Sequence, residues 1–168
     1  SIIKDFYTPW NLLILIILLC AFIARIYRIG ELLDFHYDQG RDAMVIWNLW
    51  HNHKLFLIGP VTGLPGIFLG PFYYYLIAPI YLISLGNPAI PSIFLSLLTV
   101  IGLYFLYKTG ELIGNKWLGL ISLLIASFSS YIVLSSRLLS NPTPILLTSI
   151  LIFYFMVKIL ISVKVKNY

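Results

Sequence analysis

The stretch from Asp34 to Ala43 (DFHYDQGRDA) concentrates ionisable side chains in a chain of which only 10% is charged. It holds the carboxylates of Asp34, Asp38 and Asp42 and the guanidinium of Arg41. The stretch directly follows a hydrophobic run that is long enough to cross a bilayer. Because carboxylates in or beside a membrane are energetically costly, a functional role is the default hypothesis for them.

The chemistry that these residues could perform is proton abstraction during a group transfer. Transfer to a hydroxyl or amine needs a carboxylate within hydrogen-bond reach of the acceptor proton, and we interpret Asp38 as that base. If a helix begins near Asp38, Arg41 and Asp42 follow on the same face, where Arg41 could hold a phosphate or pair with a carboxylate. The alternative is that Asp38 is only the N-cap of this helix, a position at which aspartate is strongly preferred.

A second polar group follows a later apolar run, in the sequence RLLSNP that begins at Arg137 and contains Asn141. In one interpretation Arg137 binds a lipid phosphate or a sugar, with Asn141 as a hydrogen-bonding partner. In the other, the arginine extends to the lipid headgroups as a simple anchor. Residue chemistry alone favours neither.

Aromatic and histidine side chains give weaker signals. The aromatic cluster of Phe72, Tyr73, Tyr74, Tyr75 and Tyr81 is typical of an interfacial belt, although it could line a groove for an isoprenoid chain or stack on a sugar. His51 and His53 cannot share a helix face, and no cysteine or acidic residue is spaced to complete a metal site with them. His36 is the better-placed histidine. We therefore assign no metal ligands, and a cofactor, including a divalent metal ion, remains unknown.

The composition indicates an integral membrane protein. The chain has 168 residues, 60% of them hydrophobic, and a mean hydropathy of +0.95, whereas a soluble domain is nearer half apolar and a quarter charged. The net charge of +5 comes from singly scattered lysines and arginines, which argues against a nucleic-acid partner. Cys20 is the single cysteine, so a disulfide framework is excluded.

The apolar blocks predict an all-α fold with about four spanning helices, since about 20 residues cross the ~30 Å hydrocarbon core. A cleaved signal peptide is a poorer interpretation of the first block, because the block exceeds the usual length and no clean cleavage site follows. The predicted spans are residues 9–29, 91–107, 117–136 and 144–163, and an outer loop, 30–90, carries interfacial helices at 41–53 and 71–86.

Topology depends on whether residues 71–86 span the membrane. If they stay on the outer side, the positive-inside rule is satisfied, and Arg137 shares the outer side with Asp38. If they span, the polar sequence KTGELIGNK at 108–116 moves outside. We favour the first arrangement. The lysines that it places in the cytoplasm are Lys4, Lys108, Lys116, Lys164 and Lys166.

Gly110 and Gly114 have GxxxG spacing, but they fall within the predicted polar loop at 108–116, so we expect no helix packing there.

Together, these features resemble the N-terminal part of the GT-C glycosyltransferases. The resemblance is strongest to the superfamily of dolichyl-phosphate-mannose–protein mannosyltransferases and lipid A aminoarabinose transferases. A first spanning helix is followed by a D-[EQ]-x-R motif, here DQGR from Asp38, and by an interfacial helix. A Gly/Pro-rich loop then leads to the aromatic segment PFYYY from Pro71, and an arginine and a polar residue follow at Arg137 and Asn141.

The resemblance implies a multipass GT-C-like helical bundle, of which residues 1–168 are an incomplete N-terminal part. Such enzymes transfer a sugar from a polyprenyl-phosphate carrier to a protein, lipid or glycan acceptor on the non-cytoplasmic side of the membrane. The position of the family's catalytic aspartate is Asp38, and Arg41 is expected near the donor phosphate. We expect the plasma membrane of a prokaryote rather than the endoplasmic reticulum. Our further candidates for substrate binding are Tyr37, Asp42, Arg137 and Asn141.

Three departures limit what the resemblance implies. The second acidic residue of the loop motif is Gln39 here, and Phe68-Leu69-Gly70 stands where some members have an acidic–lysine pair. Asn141 occupies a position that is aspartate in some members. The sugar, the acceptor and any metal dependence therefore do not transfer from the family. Family members are also far longer, so we expect this chain to be inactive alone.

Two rival classes are a small transporter or channel module and a non-catalytic membrane scaffold. In a transporter the ionisable groups should face a midplane cavity, often beside broken helices or internal repeats. Here they lie at predicted helix ends and no repeat is detectable, which favours the transferase. Further hydrophobic helices downstream would favour it as well, whereas an authentic stop after Tyr168 would favour the scaffold.

Overall fold

The computed structural model describes residues 8–166, with side chains described through residue 163. Within that range the chain is helical apart from loops and one isolated β-bridge. The helices are α1 (Pro9–Ile26), α2 (Ile29–Leu32), α3 (Tyr37–Asn52), α4 (Phe72–Ile83), α5 (Ala89–Ile113), α6 (Lys116–Phe128), α7 (Ser130–Arg137) and α8 (Ile145–Lys166).

The apolar helices make this a multipass integral membrane protein. Among the described residues, α1, α5 and α8 are each long and apolar enough to cross a bilayer, with mean hydropathies of 2.2, 2.1 and 2.3. Helices α6 and α7 pass the same test together and form a fourth span if the bent pair counts as one. The predicted all-α membrane fold is confirmed.

Contacts between the spanning helices define two ends of the bundle. At the end that we call the loop end, Arg137 of α7 donates a hydrogen bond to the carbonyl of Tyr27, just after α1, and Ser92 near the start of α5 donates to the carbonyl of Arg137. At the opposite end, the turn end, Trp10 Nε1 donates to Tyr107 Oη at 2.9 Å. The segment containing Asp38 follows α1 and therefore starts from the loop end.

The buried residues form two clusters, which match this division. One joins α1, α5 and α6 within the spanning bundle, and a second joins α3, α4 and the start of α5 at the loop end. Helices α3 and α4 thus pack as a layer against the start of α5, apart from the cluster that joins α1, α5 and α6. The second cluster contains Ile46, Tyr73, Tyr74, Ile77, Ala78, Tyr81, Leu95 and Leu139.

Helix α5 runs to Ile113, well beyond the predicted end at residue 107. The polar residues continue the helix because Lys108 and Glu111 stand one turn apart and pair at 2.6 Å. A Cβ at Gly110 would lie 2.7 Å from the Cα of Gly119, so α5 and α6 cross in close contact there. Our expectation that Gly110 has no packing role is therefore wrong.

The predicted span at 117–136 is broken. Helices α6 and α7 meet at an angle of 60°, and Ser129 between them has an extended backbone, with φ −60° and ψ 119°. The break lies in the sequence SFSS (127–130), where serine hydroxyls offer the backbone alternatives to helical hydrogen bonds. Helix α1 likewise ends at Ile26 rather than residue 29, and Arg28 adopts a left-handed backbone with φ +49°.

The Gly/Pro-rich loop between α3 and α4 is folded back on itself. Gly59 N donates to Leu69 O, and Leu69 N donates to Pro60 O, both at 2.9 Å. A Cβ at Gly59 would lie 2.1 Å from the carbonyl oxygen of Gly70, so the approach requires glycine. Tyr75 attaches the loop to α4, because its hydroxyl donates to Phe56 O and accepts from Phe56 N.

Candidate functional site

The acidic stretch forms the first turn of α3. His36 is the N-cap residue, and the side chain of Gln39 accepts a hydrogen bond from His36 N at 2.8 Å. Asp38 is the second residue of the helix, so the interpretation of Asp38 as the N-cap is wrong. Gln39 stands where the family's loop motif often has an acidic residue. Its side chain has a structural role here, because it is buried and accepts a hydrogen bond from a backbone N–H at the start of α3 that would otherwise lack a partner.

The structure brings Asp38, Arg41 and Asp42 together. Arg41 Nη1 donates to Asp38 Oδ1 at 2.8 Å, while Arg41 Nε and Nη2 donate to Asp42 Oδ1 at 3.0 and 2.8 Å. The side chain of Asp38 is 72% exposed, whereas that of Asp42 is 7% exposed. One guanidinium therefore connects an accessible carboxylate to a buried one.

Tyr74 of α4 completes the support of this group, because its hydroxyl donates to Asp42 Oδ1 at 3.0 Å. Burial raises the pKa of Asp42, and the hydrogen bonds from Arg41 and Tyr74 oppose that shift. Burial, followed by the nearby charge of Asp42, raises the pKa of Tyr74 to about 12. The phenol thus stays protonated at neutral pH and remains a donor.

Replacing Tyr74 with phenylalanine is expected to destabilise the layer of α3 and α4. The change removes a hydrogen bond to a charged group, which contributes about 1.5–3 kcal/mol. It should also raise the pKa of Asp42 further, because a bond that favours the charged form is lost. Thermal unfolding of the purified protein in detergent measures the effect. Tyr131→Phe, at a tyrosine that is 80% exposed, is the matched control. Equal midpoints for the two variants would contradict the prediction.

Arg137 lies at the same end of the bundle but in a different setting. Its Nη2 donates to Tyr27 O at 2.8 Å. It borders a cavity of about 670 Å³ together with Glu31 and Asp34, and Asp38 does not line this cavity. Asn141 Oδ1 accepts from Ser140 Oγ at 3.4 Å. Among the described residues, no hydrogen bond or ion pair joins Asp38 to Arg137.

The aromatic segment is only partly an interfacial belt. Phe72 and Tyr75 are exposed, but Tyr73, Tyr74 and Tyr81 are buried in the layer that α3 and α4 form. For these three the belt interpretation is wrong, since they pack on the inner face of α4. A second cavity, also of about 670 Å³, lies between α3 and α4. Its lining includes Phe35, Gly40, Met44, Trp47, Trp50 and Tyr81.

No group of three or more His, Cys, Asp or Glu side chains converges as a metal site within the part of the chain that the structure describes. His36, the better-placed histidine of the sequence, pairs instead with Asp34, with Nε2 and Oδ2 2.6 Å apart. The described residues of the acidic stretch therefore do not form a ligand set for a divalent ion.

Sequence reasoning missed Arg25. It was included in the first apolar run, but the structure buries it completely beside the break between α6 and α7. An arginine within an apolar helix is itself a signal of a function or a special partner, and that signal was present in the sequence. Tyr74 was noted only as one of an aromatic cluster, because its pairing with Asp42 depends on how α4 folds over α3.

Comparison with known families decides the class of protein. The model of the family described as dolichyl-phosphate-mannose-protein mannosyltransferase matches residues 69–168, which include the aromatic segment, Arg137 and Asn141. The chain belongs to the dolichyl-phosphate-mannose-protein mannosyltransferase family. It is thus a glycosyltransferase of the GT-C type. The match begins after the acidic stretch, so the assignment of this mannosyltransferase family is independent of Asp38. Searches of curated proteins and of solved structures each find no match.

Proposed function

We propose that the protein transfers a sugar from a polyprenyl-phosphate-linked donor to a protein, lipid or glycan acceptor, on the non-cytoplasmic side of the membrane, with Asp38 as the base. Membership of the mannosyltransferase family supports a mannosyl-type donor. The observation that carries the proposal is the exposed carboxylate of Asp38, which Arg41 holds at the loop end beside the membrane.

The proposed reaction is a single displacement at the anomeric carbon of the donor. Asp38 accepts the proton of the acceptor hydroxyl as the acceptor oxygen forms its bond to the anomeric carbon. The bond from that carbon to the phosphate oxygen breaks, and polyprenyl phosphate leaves with the electron pair. Only one oxygen of Asp38 is engaged by Arg41, so the carboxylate keeps lone pairs for the incoming proton.

The remaining candidate residues have different accessibility, and we assign their roles accordingly. Arg41 neutralises the departing phosphate, and buried Asp42 acts on the substrate through Arg41 because it holds the guanidinium in place. Tyr37 is highly exposed beside Asp38 and contacts the acceptor or the sugar. Arg137 and Asn141, at and just after the end of α7, bind the donor from that part of the loop end.

The cavity between α3 and α4 supports a lipid-linked donor. Its walls are mainly apolar, with Met44, Trp47 and Trp50 on the α3 side. Gly40 and Ala43 also line it, and these residues flank Arg41 and Asp42 in the sequence. We propose that an isoprenoid chain occupies this cavity, which would bring its phosphate close to the first turns of α3.

The proposal is tested by measuring transfer and sidedness on the full-length protein in sealed membrane vesicles. Radiolabelled polyprenyl-phosphate mannose should label an acceptor, and a cysteine at exposed Leu57 should react with an impermeant maleimide from the non-cytoplasmic side, in a Cys20→Ser background. A cysteine replacing Lys116, at the turn end, should react from the cytoplasmic side. Reversed labelling, or no transfer from any polyprenyl-linked sugar, would overturn the proposal.

A further inference from the structure

We propose that Arg25 is a positioning residue, whose buried guanidinium holds the break between α6 and α7 and thereby fixes the place of Arg137. The inference rests on the proposed function, in which Arg137 binds the donor. Arg25 belongs to α1, two residues before the carbonyl that Arg137 contacts.

Arg25 is fully buried inside the bundle. Its Nη1 donates to Ala21 O at 2.8 Å, one turn back in α1, and to Ser127 O at 3.1 Å in α6. The second bond joins residues that are far apart in the sequence, so it connects the first spanning helix to the third. In the described part of the chain no carboxylate pairs with this guanidinium, and its partners are backbone carbonyls.

The break in the helix needs such a donor. The last carbonyls of a helix have no partner from the following turn, and inside a membrane no bulk water replaces it. Ser127 O is one of these carbonyls, because α6 ends at Phe128. A cation is also favoured at a helix C-terminus by the helix dipole. Arg25 therefore satisfies the end of α6 in the place where the chain turns by 60°.

The short helix α7 is held at both ends by the same part of α1. Arg25 contacts Ser127, just before α7 begins, and Tyr27 O accepts from Arg137, the last residue of α7. Ser96 of α5 adds a hydrogen bond from its hydroxyl to Ser136 O at 3.1 Å. The direction of α7, and with it the position of the Arg137 side chain, follows from where Arg25 holds the break.

Stability alone does not account for this arginine. Arg25 Nε and Nη2 are buried without a hydrogen-bond partner, and so is the nearby Ser127 Oγ. Buried polar groups without partners are costly, so these three atoms oppose the stability of the fold rather than add to it. What the Arg25 side chain supplies, and an apolar side chain does not, is a donor nitrogen whose hydrogen bonds to carbonyls of α1 and α6 hold the two helices in a fixed geometry.

The kinetic test uses the full-length protein with polyprenyl-phosphate mannose as donor. Arg25→Met is expected to raise the KM for the donor by about ten-fold with little change in kcat, a usual size for coupling through intermediate residues. Arg25→Lys should recover most of the affinity, because an ammonium can still donate to the same carbonyls. The double variant Arg25→Met/Arg137→Met should be no worse than Arg137→Met alone. Additive losses would overturn the proposal, since Arg25 would then act independently of Arg137.

A second readout does not depend on activity. In a Cys20→Ser background, cysteines at Leu33 and Leu134, which border the same cavity, report the position of α7 through their rate of disulfide formation. Arg25→Met should change that rate and Arg25→Lys should restore it. Cysteines at Trp10 and Trp117, whose rings lie 5.1 Å apart at the turn end, should crosslink equally in all variants and confirm folding. If Arg25→Met fails this folding check, Arg25→Gln replaces it with the same expected change.

The two readouts separate the two proposals. An unchanged rate for the pair at Leu33 and Leu134 would overturn the positioning role of Arg25, whatever the transfer assay gives. A changed rate in a protein whose wild type transfers no sugar would support the positioning role and overturn the proposed function instead.

Discussion

Replacing Asp38 with asparagine in the full-length protein is expected to reduce sugar transfer by about 100- to 10,000-fold, the contribution that a positioned general base typically makes. An amide has nearly the same shape as a carboxylate but cannot accept the acceptor proton. The amide oxygen can still accept the hydrogen bond from Arg41, so the donor should bind nearly as before. The loss should therefore fall on kcat, measured with radiolabelled polyprenyl-phosphate mannose at saturating donor.

The molecule contains a matched control for this change. Glu111 pairs with Lys108 over the same three-residue spacing in a helix, but at the turn end. Glu111→Gln removes one partner of a partly exposed ion pair with the same spacing, and surface pairs typically contribute only about 1 kcal/mol. Its turnover should equal that of the wild type. Wild-type turnover in the Asp38→Asn variant would end the assignment of Asp38 as the base.

Gly119→Ala is expected to destabilise the spanning bundle by about 1–3 kcal/mol, and Gly119→Leu to prevent native packing of α5 and α6. A Cβ at Gly119 would lie 2.5 Å from Tyr107 O and 2.9 Å from the ring of the same tyrosine. The obstructing oxygen belongs to the backbone of α5, so no rotamer change relieves the clash. Thermal unfolding and size-exclusion chromatography in detergent measure the result.

Gly30→Ala is the control, since no atom lies within 4 Å of a Cβ built there. It adds the same methyl group to the chain without a clash, and it should leave the unfolding midpoint within the range of an ordinary surface substitution. A Gly119→Leu variant that elutes and unfolds like the wild type would show that α5 and α6 do not cross where the structure places them.

Sequence reasoning succeeded where a local pattern determines structure. Apolar length predicted the spanning helices, and the spacing of Asp38, Arg41 and Asp42 predicted a shared face, which the ion pairs bear out geometrically. The catalytic role assigned to Asp38 is a further step that stays a prediction. The acidic stretch could be placed beside the membrane because it follows an apolar helix in the chain.

Sequence reasoning failed where contacts between residues distant in the sequence determine the structure. Nothing local shows that Arg25 reaches Ser127, and this contact lies beside the break in the run at 117–136, which apolar length alone predicted to be straight. Gly110 looked like a loop residue because the polar side chains around it suggested a turn. Its role depends on Gly119, which lies in the next helix. The burial of Tyr74 likewise depends on α4 folding over α3.

The length of α1 has a consequence for the lipid environment of the protein. At 1.5 Å per residue, its 18 residues cover about 27 Å, slightly less than the ~30 Å of an average hydrocarbon core. Trp10 and Trp117 lie at the turn end, where tryptophans favour the membrane interface, so we expect this hydrophobic mismatch to fall at the loop end, beside the proposed base Asp38. We therefore expect bilayers of shorter acyl chains to leave the Asp38 carboxylate in water and bilayers of longer chains to draw it towards hydrocarbon. If Asp38 is the base, turnover should then depend on bilayer thickness.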